Sequence, residues 1–262
     1  MTKIVIIGAT SGIAQEAAKI WLARAGAKTE SLELILVARN SKKVAALAAD
    51  YRIRNPRAVV STIVSELVQA EDVHAIVQAT TQATASATTS VNSTPIDTVL
   101  IAQGAMLSGD MAKTSEQEVA ENLRLNAISP VLFMQSYANI FVELGYGTIA
   151  VIGSVAGDRG RKTNYVYGAA KGLIERFAQG LQHRLAGTGV RVVLLKPGPT
   201  ATAMTADRRA AGEKMMSADQ VAQGLVRAID RGKAVAYLPG RWLLIMLIVR
   251  HIPRFIFHKL NF

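Results

Sequence analysis

Short apolar runs alternate along the chain with longer stretches of helical spacing. Lys3-Ile4-Val5-Ile6-Ile7, Leu34 to Ala38, Ala58 to Val64, Thr98 to Ala102, Thr148 to Ile152, Val190 to Leu195 and Ala234 to Leu238 each read as a strand apolar on both faces. Such runs, separated by helix-length segments, predict an α/β architecture with a doubly wound parallel sheet. After the first run, Ile13, Ala17, Ile20, Trp21 and Ala25 recur at helical spacing, and Gly26 is expected to close that helix. Ser115-Glu116-Gln117-Glu118 and Ser217-Ala218-Asp219-Gln220 fit capping boxes and mark two further helix starts. The Ala79 to Thr94 run is poor in bulky side chains and reads as a helix end followed by a loop.

With 262 residues and 50% hydrophobic content, the chain suits one domain over 1–240, followed by a hydrophobic and basic tail over 241–262. Cysteine is absent, which excludes disulfides and thiolate metal sites, and the four histidines form no ligand cluster, so no metal is expected. The first apolar run is only strand-length and lacks a signal-peptide cleavage pattern, so the domain is expected in the cytoplasm. The net charge of +11 points to an anionic partner, but no segment resembles a nucleic-acid-binding module.

The first candidate chemistry lies at the end of the first strand. Gly8-Ala9-Thr10-Ser11-Gly12-Ile13 joins a strand to a helix, where Gly8 permits a tight turn, Gly12 lets backbone approach a pyrophosphate, and the helix-start N–H groups can hold that anion. The tip of the second strand carries Arg39, Asn40 and Ser41, with no acid to take free ribose hydroxyls. Arg39 with Ser41 suits a 2′-phosphate, and the expected cofactor is therefore NADP(H). Further along, Tyr167 and Lys171 stand one helical turn apart, so the lysine charge can favour the phenolate and make the tyrosine an acid for carbonyl chemistry. Tyr165, on another side of that helix, is the poorer candidate.

Through Gly8-x-x-x-Gly12-Ile13, Ser154, Tyr167-x-x-x-Lys171 and Lys196-Pro197-Gly198, the chain resembles the short-chain dehydrogenase/reductase family over residues 3–240. The resemblance implies a Rossmann-type domain. It also implies that Ser154 orients the substrate carbonyl, Tyr167 donates the proton, and Lys171 binds the nicotinamide ribose, with Asn126 supporting a relay through water on the lysine side. Pro197 and Gly198 are candidate cofactor contacts, and Thr200 and Thr202 are candidates for cofactor amide or phosphate, or else local caps. The family's Asn-Asn-Ala-Gly segment is Ile101-Ala102-Gln103-Gly104 here, retaining Gly104, and its adenine-contacting region is Ser65-Glu66-Leu67, which makes Glu66 a candidate contact.

Asp158-Arg159-Gly160-Arg161-Lys162 lies between Ser154 and Tyr167, so Arg159, Arg161 and Lys162 could hold a substrate phosphate, or could simply form a solvated face. Pro199 to Met216 is expected to form a substrate-side lid. In the tail, Trp242 to Val249 is too short for a confident membrane span. Its apolar residues with Arg241, Arg250 and Lys259 suit an anchor on an anionic membrane surface at the inner face of the cell membrane, with packing on the domain or in an oligomer interface as the competing reading. Gly157-Asp158-Arg159 through Tyr167-Gly168, Gly189-Val190-Arg191-Val192 and Arg250-His251-Ile252-Pro253-Arg254 with Ile256-Phe257 resemble a narrower group, the decaprenylphosphoryl-2-keto-erythro-pentofuranose reductases. That resemblance implies NAD(P)H reduction of a polyprenylphosphoryl keto-sugar in cell-envelope polysaccharide precursor synthesis, downstream of a partner oxidase that could pass its product on directly; a homo-oligomer is expected separately. The alternatives are another lipid-like ketone, or a non-catalytic dinucleotide-binding subunit of an oxidase.

Overall fold

All seven apolar runs become strands of one parallel sheet in a computed structural model that describes residues 2–82, 95–106 and 114–260. In chain order the first half contains β1 (Thr2–Ile7), α1 (Gly12–Lys28), β2 (Leu32–Ala38), α2 (Ser41–Arg54), β3 (Val59–Val64), α3 (Ala70–Gln82) and β4 (Thr98–Ile101). Next come α4 (Glu116–Leu123), a π-helical turn over Arg124–Ile128, α5 (Ser129–Leu144), β5 (Gly147–Ile152), α6 (Tyr165–Arg184) and β6 (Val190–Pro197). The chain ends with β7 (Thr200–Ala201), α7 (Ala206–Ala210), β8 (Met216–Ser217), α8 (Ala218–Asp230), β9 (Val235–Leu238), α9 (Arg241–His251) and α10 (Arg254–Phe257).

The sheet order is β3-β2-β1-β4-β5-β6-β9. The inner strands β1, β2, β4, β5 and β6 are buried on both faces, which is why they read as continuous apolar runs, whereas the edge strand β3 leaves Val59 and Val64 exposed. Ile4 and Ile6 of β1 join the core beneath α1, α2 and α8, while Val5 and Ile7 join the core beneath α3, α5 and α6. The chain winds outward in opposite directions from β1 and β4, which pair directly with Ile7 opposite Ile101. A crevice therefore opens beyond the carboxyl ends of these two strands, where ligands bind in open sheets of this kind.

Both capping signals mark true helix starts. Ser115 and Glu118 form the reciprocal box at α4, and the Ser217 side chain accepts from the Gln220 amide at α8. Gly26 does not end α1: it packs beside Asn55, and the helix continues to Lys28 before Thr29 caps it at φ 58°. Of the Ala79 to Thr94 run, the part through Gln82 completes α3, and 83–94 lie outside the described residues. The β7–β8 ribbon had no sequence signal, because each of its strands is only two residues long.

Candidate active site

The crevice is a cleft of about 610 Å³, and its floor is the β1–α1 turn. Gly8 has φ +79°, and a Cβ there would lie 2.5 Å from the Gln103 nitrogen, so glycine is required both for the turn and for the close approach of the segment after β4. Ser11 caps α1 without a side-chain capping hydrogen bond among the described residues, leaving the first-turn amides directed at the cleft. Thr10, Ser11, Gly12, Ile13, Arg39 and Gly104 line the same cavity, as do Pro197 and Gly198 across from them. The cradle therefore fits a dinucleotide phosphate, and Arg39 stands at its rim beside Ala38 with no acid at that strand tip.

Two expected cofactor contacts are displaced. Ser41 is the exposed first residue of α2, outside the cleft wall, because Asn40 turns the chain by accepting the Lys43 amide at 2.8 Å. Glu66 is exposed, and Leu67, held at φ 66° and 2% exposed, faces the cleft in its place. The Leu67 carbonyl accepts from the Ser129 hydroxyl, which in turn accepts from Gln103 Nε2 at 3.0 Å. Gln103, a departure from the family pattern, thus ties the adenine-side wall to the sheet. The sequence offered no periodic signal for this bridge.

Ser154 follows β5 and accepts the Ala156 amide at 3.1 Å, forming a tight turn over Val155–Gly157. That turn lies against α6 through two glycines. A Cβ on Gly157 would meet the Lys171 carbonyl carbon at 2.8 Å, and one on Gly168 would meet the Ala156 oxygen at 3.0 Å. The close backbone approach brings the Ser154 hydroxyl into hydrogen-bonding contact with Tyr167. Lys171, one turn further along α6, is 3% exposed, donates to the Ile152 carbonyl at 2.9 Å and sits 5.6 Å from the centre of the Tyr167 ring. Tyr165 is exposed on another side of the helix.

The electrostatics correct the expectation of a tyrosine acidified by its lysine. Burial pushes Tyr167 up to about 12, outweighing the Ser154 hydrogen bond and the Arg208 charge that act to lower it. Burial also brings Lys171 down to about 8, so the ammonium is itself a strained charge. The protein's own groups therefore hold Tyr167 as a protonated donor near neutral pH. Asn126, buried in the π-helical turn, accepts the Ala105 amide at 2.9 Å and donates to the Ala105 and Asn122 carbonyls. Its observed work is holding the Gly104–Ala105 segment beside Lys171, since a Cβ on Gly104 would touch both Asn126 Oδ1 and Lys171 Nζ.

The Pro199 to Met216 segment does wall the cleft, through Pro199, Met204, Arg208 and Glu213 among others. Thr200 and Thr202 line it too, but both make local hydrogen bonds: the Thr200 hydroxyl donates to the Gly198 carbonyl at 2.9 Å, and Thr202 forms a reciprocal cap with Thr205.

The basic loop separates into different jobs. Arg159 is turned away from the cleft: its guanidinium donates to the carbonyls of Val249, Arg250 and Ile252 at the end of α9 and lies 3.7 Å over the Phe257 ring. It lines no part of the cleft wall, and its Nη1 is committed to helix-end carbonyls, so it is not placed to hold a phosphate there. Lys162 faces a second cavity, between the loop and the tail. Arg161 does line the active-site cleft, and its buried Nε has no hydrogen-bond partner among the described residues. Burial lowers its pKa, as does neighbouring Arg208, itself paired with Glu213 at 2.6 Å.

Sequence reading missed the anchor beneath this loop. Lys196, 1% exposed at the end of β6, is bonded to Asp158 and to Glu175, the latter at 2.8 Å, while the Tyr237 hydroxyl donates to Asp158 at 3.0 Å. Burial pulls the Lys196 pKa down, but the bonds and charges of the two carboxylates raise it above the ordinary lysine value. The tail also reaches the cleft. Trp242 lines it and packs so closely on Gly198 that a Cβ there would lie 2.0 Å from the indole nitrogen.

Known proteins share this fold and sequence pattern. An uncharacterized oxidoreductase of Mycobacterium tuberculosis (strain H37Rv) is 29% identical over 257 residues, covering 98% of this chain and 96% of that one. Among solved structures, a short-chain dehydrogenase from Sphingobium yanoikuyae in complex with NADPH superposes with a TM-score of 0.78 at 23% identity, covering 97% of each chain. The bulky-bulky ketone specific alcohol dehydrogenase from Comamonas testosteroni gives 0.76 at 21% identity, covering 100% of this chain and 95% of that one. Residues 2–213 match the short chain dehydrogenase family model, and the chain belongs to that family of oxidoreductases.

Proposed function

We propose that the protein is an NADP(H)-dependent ketone reductase whose substrate carries an anionic group, most closely a polyprenylphosphoryl keto-pentofuranose. The observation that carries the substrate reading is Arg161: a half-buried side chain on the cleft wall whose Nε is sealed from solvent without a partner among the described residues, with the charge of a second arginine beside it. A buried N–H without a partner is costly unless a ligand completes it, and a phosphate oxygen has the charge and acceptors to do so. Arg39 supports the choice of NADP(H), as does the NADPH in the Sphingobium relative's structure.

The cofactor, when bound, supplies the hydride. The chain's own residues do the rest. Ser154 donates a hydrogen bond to the ketone oxygen and fixes its position beside Tyr167. The Tyr167 phenol, held protonated by burial, gives its proton to that oxygen as negative charge develops on it. Lys171, fixed by the Ile152 carbonyl, places a positive charge behind the phenol and stabilises the phenolate left after transfer. Arg161 holds the anionic end of the substrate and limits its rotation, with Arg208 beside it kept in place by its pair with Glu213.

The test is turnover of NADPH with a polyprenylphosphoryl 2-keto-pentose in detergent, alongside the same ketone without its phosphate. Turnover of the first, with Arg161→Gln raising its KM and leaving the dephosphorylated ketone unaffected, is the expected result. Equal turnover of both ketones, insensitive to Arg161, would shift the assignment to an uncharged lipid-like ketone, the class nearer to the Comamonas enzyme's bulky ketones.

A further inference from the structure

We propose that α9 and α10 form an in-plane docking surface for an anionic phospholipid bilayer. α9 is apolar nearly all round, yet only one stripe of it is covered. Trp242, Met246 and Val249, at i, i+4 and i+7, face the domain, whereas Leu244, Leu247 and Ile248 are 66%, 52% and 67% exposed. Phe255, 71% exposed, and Ile256 extend the same apolar character into α10. A monomeric soluble protein rarely leaves so many large apolar side chains together in water.

Charge identifies the occupant. After Asp230 the sequence has no acidic residue, while Arg231, Lys233, Arg241, Arg250, Arg254 and Lys259 are all basic. A second copy docked by two-fold symmetry would set this surface against itself and oppose like charges. An anionic bilayer accepts the apolar side chains among its acyl chains and the cations among its headgroups. The helix cannot cross: its 11 residues span about 16 Å at 1.5 Å per residue, against a hydrocarbon core of roughly 30 Å. No helix among the described residues is long and apolar enough to do so.

A receptor for headgroups lies alongside. A cavity of about 390 Å³ between the basic loop and the tail is walled by Arg159, Lys162, Arg254 and His258, with Phe257 and Leu260 at its apolar side, and Arg161 stands between it and the cleft, lining both. That is the composition a phospholipid phosphate and the start of its acyl chains require. The surface is also rigidly tied to the domain. Arg159 clamps the end of α9 and stacks on Phe257, while Trp242 fixes its beginning on Gly198. Docking therefore sets the cleft, which Trp242 lines, at the membrane surface. The inference holds whichever ketone the cleft reduces.

The experiment is co-sedimentation of the full chain with vesicles of phosphatidylcholine alone and of equal parts phosphatidylcholine and phosphatidylglycerol, at low and high salt. The wild type should pellet with the anionic vesicles, less so at high salt, and stay in solution with the neutral ones. A double variant, Leu244→Asp with Ile248→Asp, should lose binding at least about tenfold with an unchanged melting temperature, since both side chains face away from the domain. Arg254→Glu with Lys259→Glu should remove the preference for phosphatidylglycerol. Wild type left in the supernatant overturns the proposal. So does pelleting that survives the Leu244/Ile248 double variant, which would mean binding by general positive charge. A dimer in sedimentation velocity that the double variant disperses, without vesicle binding, would assign the face to a second copy and equally overturn it.

Discussion

The Ser154–Tyr167–Lys171 centre and the Asp158–Lys162 loop are neighbours in the chain, yet they are governed by partners at very different distances. The catalytic groups are placed by local devices: a turn after β5, two glycines at the contact with α6, and one turn of helix between Tyr167 and Lys171. The loop is placed by remote ones. Asp158 is held by Lys196 and Tyr237, and Arg159 by the carbonyls at the end of α9, about 90 positions away. The contrast teaches that charge within a loop says little about its use until the far partners are known. Of three cations read as one phosphate site, Arg159 is a latch for the tail and Arg161 alone lines the cleft.

The sharpest way to break this division is Tyr167→Phe. Removing the proton donor while keeping the ring should lower kcat for ketone reduction by about 10²–10⁴-fold, with NADPH affinity by fluorescence titration unchanged; a smaller loss would move the donor elsewhere.

Next in size is Lys196→Met. It would leave Asp158 and Glu175 as uncompensated buried carboxylates, and unfolding in urea should show a loss of about 3–5 kcal/mol. A change below 1 kcal/mol would mean that the loop is not anchored by this triad.

Arg159→Gln and Arg161→Gln separate the two halves of the loop. Loss of the Arg159 latch should destabilise the tail by about 1.5–3 kcal/mol, seen as faster hydrogen exchange over 249–257, with KM for the ketone preserved. Arg161→Gln should do the reverse, raising KM for an anionic ketone about 10-fold or more with tail exchange unaltered. The two outcomes exchanged would restore Arg159 as the phosphate ligand.

The smallest expected effect is in the pH profile. Because burial lowers Lys171 to about 8, its positive charge is present below that pH and is lost as pH rises through it, while Tyr167 remains protonated up to about 12. Reduction should therefore decline modestly above about pH 8, and Lys171→Met should abolish that break. A wild-type profile flat through pH 10 would show that the lysine charge does not assist the transfer.

The sheet was readable because its inner strands, buried on both faces, leave continuous apolar runs, and the glycine turn and the Tyr167–Lys171 pair because their function requires fixed short spacing. Other features rest on contacts without any sequence period. Leu67 reaches the cleft in place of Glu66 in a left-handed conformation, with its carbonyl held by the Ser129–Gln103 bridge. Gly26 looked like a helix end but is a packing site for Asn55. The local lysine effect was also overestimated from spacing alone: placing both groups one turn apart brings them together, but burial decides their pKa values, raising one and lowering the other.

The central claim, hydride transfer to a ketone in this cleft, is tested most directly with NADPH deuterated at the hydride-donating carbon of its nicotinamide ring. The purified protein and a polyprenylphosphoryl 2-keto-pentose should yield an alcohol with one deuterium on the new carbinol carbon for each NADPH oxidised, and Tyr167→Phe should suppress both together. Cofactor oxidation without deuterium in the alcohol, or an alcohol formed equally fast by Tyr167→Phe, would contradict it.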